Sequence, residues 1–194
     1  MKFSILIAAI PSRISLLTEL LEKLELQRKP DVEILVLMDN RKRSVGQKRT
    51  DLLNIANGEY IAFVDDDDTV SPDYIGTIIT TLNNNPGVDV MTFTQITSFP
   101  DGRKQTCKYS VNFEYKSTDT EWKGIPAHTM VWRKDLVKNI SFPHIDCTED
   151  VAWCKLASAQ VTTEVSINKV LYFYRFDGSK SMAVPANHKN ARPQ

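Results

Sequence analysis

A chain of 194 residues with 42% hydrophobic and 25% charged residues has the composition of one globular domain, which excludes disordered and fibrous classes. Its 24 basic and 24 acidic residues give a formal net charge of zero, so no bulk electrostatic attraction to nucleic acid is expected. Three cysteines without a short spacing favour a reducing, cytoplasmic setting over a disulfide framework, and no apolar run reaches the ~20 residues that span a bilayer.

The first half of the chain alternates between strand and helix patterns. Continuous apolar runs predict four buried strands, at residues 3–10, 32–38, 60–64 and 88–97. Apolar residues at helical spacing predict a helix after each of the first three strands. This alternation predicts a single α/β domain with a mostly parallel central sheet and helices on both faces.

The second half is less regular. Asp101-Gly102 predicts a hairpin turn, and residues 109–127 have no clear period, which predicts a loop over the site. A strand is predicted at residues 129–132 and a terminal strand or hairpin at 165–176. A helix is predicted to begin at Thr148-Glu149-Asp150, with Trp153, Leu156 and Ala157 on its buried side.

Polar clusters follow three of the predicted strands. Pro11 and Arg13 follow the first, Asp39 follows the second, and four consecutive aspartates, Asp65 to Asp68, follow the third. In parallel α/β sheets ligands bind beyond the carboxyl ends of the strands, so these clusters mark a candidate binding site.

The four aspartates predict a cation site. Crowded carboxylates repel one another, and a divalent ion such as Mg²⁺ or Mn²⁺ relieves that repulsion. Asp65 and Asp67 form a D-x-D pair within the run. The same residues with Thr69 also fit D-x-D-x-T, the signature of haloacid-dehalogenase-like phosphatases, in which Asp65 would be the nucleophile and Asp67 the acid/base. A solvated acidic loop is a third interpretation.

The order and spacing of several motifs resemble the family 2 glycosyltransferases, which have the GT-A fold. The resemblance rests on S-I-L-I-A-A-I-P-S-R at residues 4–13, the second strand with Asp39, G-Q-K-R-T at 46–50, A-N-G-E-Y-I-A-F-V-D-D-D-D at 56–68, T-E-D at 148–150, and Tyr174-Arg175 with Ser179 and Ser181. It implies one GT-A domain over residues 1–182, with a nucleotide-sugar-binding half at 1–97, an acceptor-side half at 98–182, and a polar tail at 183–194.

The resemblance also implies roles for individual residues. Asp39 would contact the nucleotide base, Asp65 would lie beside the ribose or the metal, and Asp67 would be the principal ligand of a Mn²⁺ or Mg²⁺ cofactor. Asp150, beside Glu149, would be the general base of an inverting transfer from a nucleotide-sugar donor. Pro11, Arg13, Lys48, Arg49 and Asp66 complete the expected donor site.

Two features leave the substrate open. The basic residues between Arg41 and Arg49 would hold phosphates or form a solvated face, and their pattern weakly resembles small phage transferases that modify DNA. The acceptor would therefore be a glycan, a lipid-linked glycan or a modified DNA base. A domain that binds a nucleotide sugar or glycan without turning it over is a further alternative. Two histidines lie late in the chain, His144 and His188, and His188 matches no motif.

Overall fold

The computed structural model describes residues 1–177, which form one ten-stranded sheet flanked by helices. The strands are β1 (Phe3–Ala9), β2 (Val32–Met38), β3 (Tyr60–Phe63), β4 (Thr69–Val70), β5 (Val90–Ser98), β6 (Lys104–Tyr109), β7 (Lys116–Ser117), β8 (Glu121–Gly124), β9 (Val131–Arg133) and β10 (Glu164–Arg175). The helices are α1 (Ile14–Glu25), α2 (Val45–Ile55), α3 (Tyr74–Asn84), α4 (Lys134–Val137) and α5 (Glu149–Ser158), with a single 3₁₀ turn at Pro11–Arg13.

The first three long strands pair in parallel, with β1 between β2 and β3. Phe3 lies opposite both Val32 and Tyr60, so these strands begin at the same level of the sheet. β1 and β3 are buried within the sheet, which explains why their side chains are mostly apolar. The hydrophobic core extends from these strands over both halves of the described chain. The predicted α/β class is confirmed, and the carboxyl ends of all three strands lie at one edge.

The second half adds antiparallel strands and makes the sheet mixed. β9 lies between β3 and β5 and is antiparallel to both. β5 and β6 form the predicted hairpin, with Gly102 at a φ of 85° in its turn. The segment predicted to be a loop, 109–127, contains the two short strands β7 and β8. β10 pairs in parallel with β5 along its length, and at Tyr172 and Phe173 it also pairs with β4 in the antiparallel direction.

The helices differ from the sequence expectation in one respect. In α5, Trp153 and Ala157 are buried as predicted, but Leu156 is more than half exposed, so the prediction for that residue is wrong. In a helix of ten residues whose first turn is acidic, the apolar positions do not define one face clearly.

Gly46, in the first turn of α2, lies against the segment that precedes α5. A Cβ atom at this position would come within 1.8 Å of the Pro143 carbonyl oxygen, and the Gly46 N–H donates to the Ile145 carbonyl at 3.2 Å. The Val45 N–H donates to Asp146 Oδ1 at 2.9 Å, next to the Ser44 side chain that caps the helix. This close approach brings α2 and the start of α5 together.

Residues 178–194 lie outside the described chain, and with them the predicted tail, Ser179, Ser181 and His188. No helix within residues 1–177 is both long enough and apolar enough to cross a bilayer.

Candidate active site

The four aspartates after β3 alternate between two environments. Asp65 and Asp67 keep 28% and 22% of their side-chain surface exposed, whereas Asp66 and Asp68 are buried. Asp66 and Asp67 form a turn after β3, in which the Asp68 N–H donates to the Asp65 carbonyl at 3.1 Å, and this turn leaves Asp65 and Asp67 on the more accessible side. The D-x-D pair singled out in the sequence therefore faces the open cleft.

The two buried aspartates anchor the surrounding loops. Asp66 accepts the Ile10 N–H at 3.0 Å and Arg13 Nη1 at 2.8 Å. Asp68 accepts the Tyr172 hydroxyl at 2.7 Å and the Arg175 N–H at 2.9 Å. Burial raises the pKa of both carboxyl groups, and it raises that of Asp68 most, with the charge of Asp65 adding to the shift.

Asp65 belongs to a buried chain of charges. Arg49 Nη2 donates to Asp65 Oδ1 at 2.6 Å, while Nη1 of the same guanidinium donates to Glu149 Oε1. Burial opposes ionisation of Asp65, but Arg49 and then His128 outweigh it and hold the pKa of Asp65 well below its usual range. Burial raises the pKa of Glu149, although Arg49 opposes the shift. Arg49 thus links the strand end that carries Asp65 to the start of α5.

Asp67 shares its cationic partner with a second carboxylate. Its contact is with Arg13 Nη2 at 2.9 Å, and the same arginine also serves Asp66. Burial and the neighbouring charge of Asp65 raise the pKa of Asp67 to about 6, despite Arg13. Because Asp67 is partly exposed, a cation bound beside it would favour the charged form of this carboxyl group.

Asp65 and Asp67 fit a hard divalent ion of a particular kind. No group of three or more His, Cys, Asp or Glu side chains within residues 1–177 forms a ready-made metal cage. Mg²⁺ in phosphate-handling sites is commonly held by one or two carboxylates, with the remaining positions filled by phosphate oxygens and water. The residues present match that arrangement, in which the substrate completes the coordination.

Two cavities meet at Asp65. A small one of about 130 Å³ contains six of the predicted site residues in its lining: Arg13, Arg49, Asp65, Asp66, Asp67 and Glu149. A larger one of about 660 Å³ is lined by Asp150, by His128 and by the aromatic residues Tyr109, Phe113, Tyr115, Trp122, Tyr172 and Tyr174. Arg49, Asp65 and Tyr174 line both. The carboxyl edge of the sheet therefore carries a small charged compartment beside a large aromatic one.

The other predicted site residues lie to the side of these cavities. Within the described chain, Pro11, Asp39 and Lys48 are not part of either lining. Lys48 is buried, donates to the Ala9 carbonyl at 2.9 Å and lies 3.3 Å from Asp39 Oδ1. Both Asp39 oxygens are buried, and neither accepts a hydrogen bond from the described residues. Because Lys48 and Arg49 are buried on α2, the interpretation of these two as a solvated face is wrong.

Asp150 lies at the second position of α5 and is 35% exposed towards the large cavity. Its Oδ2 is 3.5 Å from His128 Nδ1, and His128 Nε2 is 3.5 Å from Asp65 Oδ2. The late histidines His144 and His188 were noted in the sequence, but His128 was not. Its position depends on the pairing of β9 with β3, in which Tyr60 lies opposite Arg133 and Ile61 opposite Trp132. His128 lies in the turn that precedes β9, where its carbonyl accepts the Phe63 N–H and its ring comes within 3.5 Å of Asp65.

Comparison with known proteins agrees with this geometry. The profile of Glycosyl transferase family 2 matches residues 18–141, more than half of the chain. A glucosyl-dolichyl phosphate glucuronosyltransferase of Haloferax volcanii is 28% identical over 113 residues, which cover 58% of this chain and 35% of that protein.

Solved structures share the fold at low sequence identity. S. aureus TarS 1–349 superposes with a TM-score of 0.69 at 19% identity, covering 90% of this chain and 60% of that one. A complex of the same TarS fragment with UDP-GlcNAc gives a TM-score of 0.65 at 18% identity, covering 94% and 60%. Mannosyltransferase PcManGT from Pyrobaculum calidifontis, in complex with GDP-Man and Mn²⁺, gives 0.62 at 10% identity, covering 93% and 58%. The chain thus spans between about a third and three fifths of the length of these proteins, and by its sequence profile it belongs to glycosyl transferase family 2.

Proposed function

We propose that the protein transfers a sugar from a nucleotide-diphosphate sugar to an acceptor hydroxyl, with inversion at the anomeric carbon. The observation that carries this proposal is the meeting of the two cavities at Asp65 and Arg49, with Asp150 on the wall of the larger one. A transfer reaction needs a charged compartment for the leaving diphosphate and a separate compartment for the acceptor, joined at the reacting carbon.

The small cavity is the proposed donor side. Its volume suits the charged part of a donor rather than the whole molecule, and Arg13 and Arg49 line it. Asp39, with two buried oxygens that accept no hydrogen bond from the described residues, is the proposed contact for the nucleotide base. Structural neighbours have been solved with UDP-GlcNAc and with GDP-Man, which makes these two donors the first to test.

We assign the proposed cation, Mn²⁺ or Mg²⁺, to Asp67 with Asp65. When bound, such an ion supplies positive charge that stabilises a leaving diphosphate. The structural neighbour PcManGT was solved with Mn²⁺. Arg13 holds Asp66 and Asp67 together, and Arg49 holds Asp65, so the two arginines fix the spacing of the carboxylates.

Asp150 is the proposed general base. An acceptor hydroxyl is a weak nucleophile, and a positioned carboxylate that removes its proton accelerates the reaction by about 10²–10⁴-fold. Asp150 is exposed to the large cavity, whereas its neighbour Glu149 is buried against Arg49. We therefore give Glu149 a different task from the base, which is to hold the guanidinium that pairs with Asp65. Attack by the deprotonated hydroxyl on the face opposite the diphosphate gives inversion.

The large cavity favours a glycan acceptor over duplex DNA. Aromatic side chains stack on the apolar faces of sugar rings, and six Phe, Tyr and Trp side chains line this cavity. The DNA alternative depended on a basic stretch, but Lys48 and Arg49 in that stretch are buried and paired with carboxylates. They are therefore unavailable to neutralise the phosphates of a duplex.

The test is a donor screen that measures nucleotide diphosphate release with and without Mn²⁺, using a panel of p-nitrophenyl glycosides as acceptors. We expect release from one nucleotide sugar to depend on both the cation and an acceptor. Asp150→Asn should abolish most turnover while donor affinity, measured by calorimetry, stays near that of the wild type. Asp135→Asn on the exposed surface is the matched control.

The same screen separates the two alternatives. Donor binding without product from any acceptor would favour a non-catalytic binding domain. Release of inorganic phosphate from phosphomonoesters would favour the phosphatase, in which Asp65 would have to attack while paired with Arg49.

A further inference from the structure

His128 is a buried polar side chain that the proposed reaction has not yet used. It is 6% exposed, and neither ring nitrogen makes a hydrogen bond to another described residue. Buried polar groups without partners are rare in proteins and mark places where a ligand or a functional contact is expected. The imidazole lines the large cavity between Asp65 and Asp150.

The backbone around His128 is held firmly. Its carbonyl accepts the Phe63 N–H at 3.3 Å, which ties it to the end of β3 two residues before Asp65. The preceding carbonyl, of Ala127, accepts both the Met130 N–H and the Trp132 indole N–H at 3.0 Å. The imidazole therefore projects from a backbone segment that is fixed to the end of β3, the strand that Asp65 follows.

Asp150, in contrast, has little else to hold it. Its Oδ1 accepts the adjacent Val151 N–H, and within residues 1–177 the one basic side chain within 4 Å of its carboxylate is His128, whose Nδ1 lies 3.5 Å from Asp150 Oδ2. Asp65 does not depend on His128 in the same way, because Arg49 already binds it at 2.6 Å. Loss of the imidazole should therefore release Asp150 while Asp65 stays in place.

We infer that His128 is a positioning residue that holds the carboxylate of Asp150 at a set distance from Asp65, and so aligns the acceptor's base with the donor's reacting carbon. This inference rests on the proposed function. His128 need not touch the donor, because its ring lies between the two carboxylates. Misplacement of a reacting group by about 1 Å costs up to 10²-fold in rate.

The test compares three substitutions that keep different parts of the contact. The amide nitrogen of asparagine occupies roughly the position of Nδ1, and that of glutamine the position of Nε2. H128N should preserve the contact to Asp150 and keep kcat within about threefold of the wild type, less than 1 kcal/mol. H128Q and H128A should both lower kcat by about 10- to 100-fold. Donor affinity, measured by calorimetry with UDP-GlcNAc or GDP-Man, should stay nearly constant in all three.

A double-substitution cycle with Asp150 tests whether His128 acts through that residue. In a D150N background H128A should cause less than about a twofold further loss of kcat, since a residue that acts through another has no separate effect once its partner is disabled. Additive losses, or an H128Q enzyme more active than H128N, would overturn the inference. Thermal unfolding of each variant verifies that the fold survives.

The outcomes also separate this inference from the proposed function. A wild-type protein that turns over a donor, together with an H128A variant of unchanged kcat, removes only the role of His128. A wild-type protein that neither binds nor cleaves any nucleotide sugar removes the proposed function, and the inference that rests on it falls as well.

Discussion

Replacing Arg49 by methionine should destabilise the protein strongly. The guanidinium is almost fully buried between Asp65 and Glu149, and it donates to both. Methionine fills much of the same volume but leaves two carboxylates without their cation. Breaking a buried ion pair by removing one partner costs about 3–5 kcal/mol. Because 28% of the Asp65 side chain reaches water, we expect a loss in the lower part of that range, at about 3 kcal/mol.

The loss should appear in thermal unfolding and should depend on pH. For a domain of this size about 1 kcal/mol lowers Tm by 2–4 °C, so R49M should melt about 6–12 °C below the wild type at pH 7.5. The pKa of Asp65 is lowered in the folded state, chiefly by Arg49 acting against burial. This stabilising contribution is present above the pKa of an unfolded aspartate, about 4, and disappears as pH falls through the folded value. R49M lacks that contribution, and its unpaired carboxylates take up protons in mild acid. The difference between the two proteins should therefore shrink from pH 7.5 to pH 5.

Two variants make the result interpretable. R49M/E149Q removes one of the stranded charges and should recover about 1–2 kcal/mol of the loss, as expected for an unsatisfied buried group. R43M removes a half-exposed arginine that pairs with Asp51 at the surface, and it should change stability by less than about 1 kcal/mol. An R49M protein that melts within 2 °C of the wild type at neutral pH would refute the claim that Arg49 neutralises this cluster.

Three further predictions follow from the same geometry. Asp67→Asn should weaken Mn²⁺-dependent donor binding without unfolding the protein, and calorimetry with and without chelator measures this effect. In the wild type, burial and the charge of Asp65 raise the pKa of Asp67 to about 6. The affinity for Mn²⁺ should therefore fall as the pH drops below 6, because the proton and the cation compete for the same carboxylate oxygens. An affinity that does not change between pH 5 and pH 7 would assign the cation to other ligands. Gly46→Ala should lower stability by about 1–3 kcal/mol in urea unfolding, since its methyl group would overlap the Pro143 carbonyl, whereas Gly76→Ala on open helix surface should be neutral or stabilising.

The sequence predicted the parallel half of the fold well because its strands are buried. Strands such as β1 and β3 need apolar residues on both faces, and this requirement produces a continuous run of apolar residues that is recognisable in the sequence. The D-x-D pair was also visible, because it directly follows the buried strand β3. That Asp65 and Asp67 stay partly exposed, while Asp66 and Asp68 anchor loops, depends on the turn at Asp66 and Asp67 and on partners from distant segments, which leave no local pattern.

Other parts of the site depend on tertiary contacts that leave no local pattern. Lys48 and Arg49 belong to the buried residues of α2, although charged residues on a helix are normally solvated. Their burial becomes favourable only because Asp39, Asp65 and Glu149 arrive from other elements. His128 was missed for a related reason, because an antiparallel β9 beside β3 is a long-range pairing.

The charges around the four aspartates explain why a cation and a donor should bind together. Two arginines serve the run: Arg13 is shared by Asp66 and Asp67, while Arg49 is shared by Asp65 and Glu149. Carboxylates therefore outnumber the guanidinium groups, and the raised pKa of Asp67 reflects that excess together with burial. A donor diphosphate would bring further negative charge into the same compartment, where Coulomb repulsion is stronger than in water. We therefore expect the donor to bind weakly to the metal-free protein, and the affinity for each to rise in the presence of the other, by the same factor.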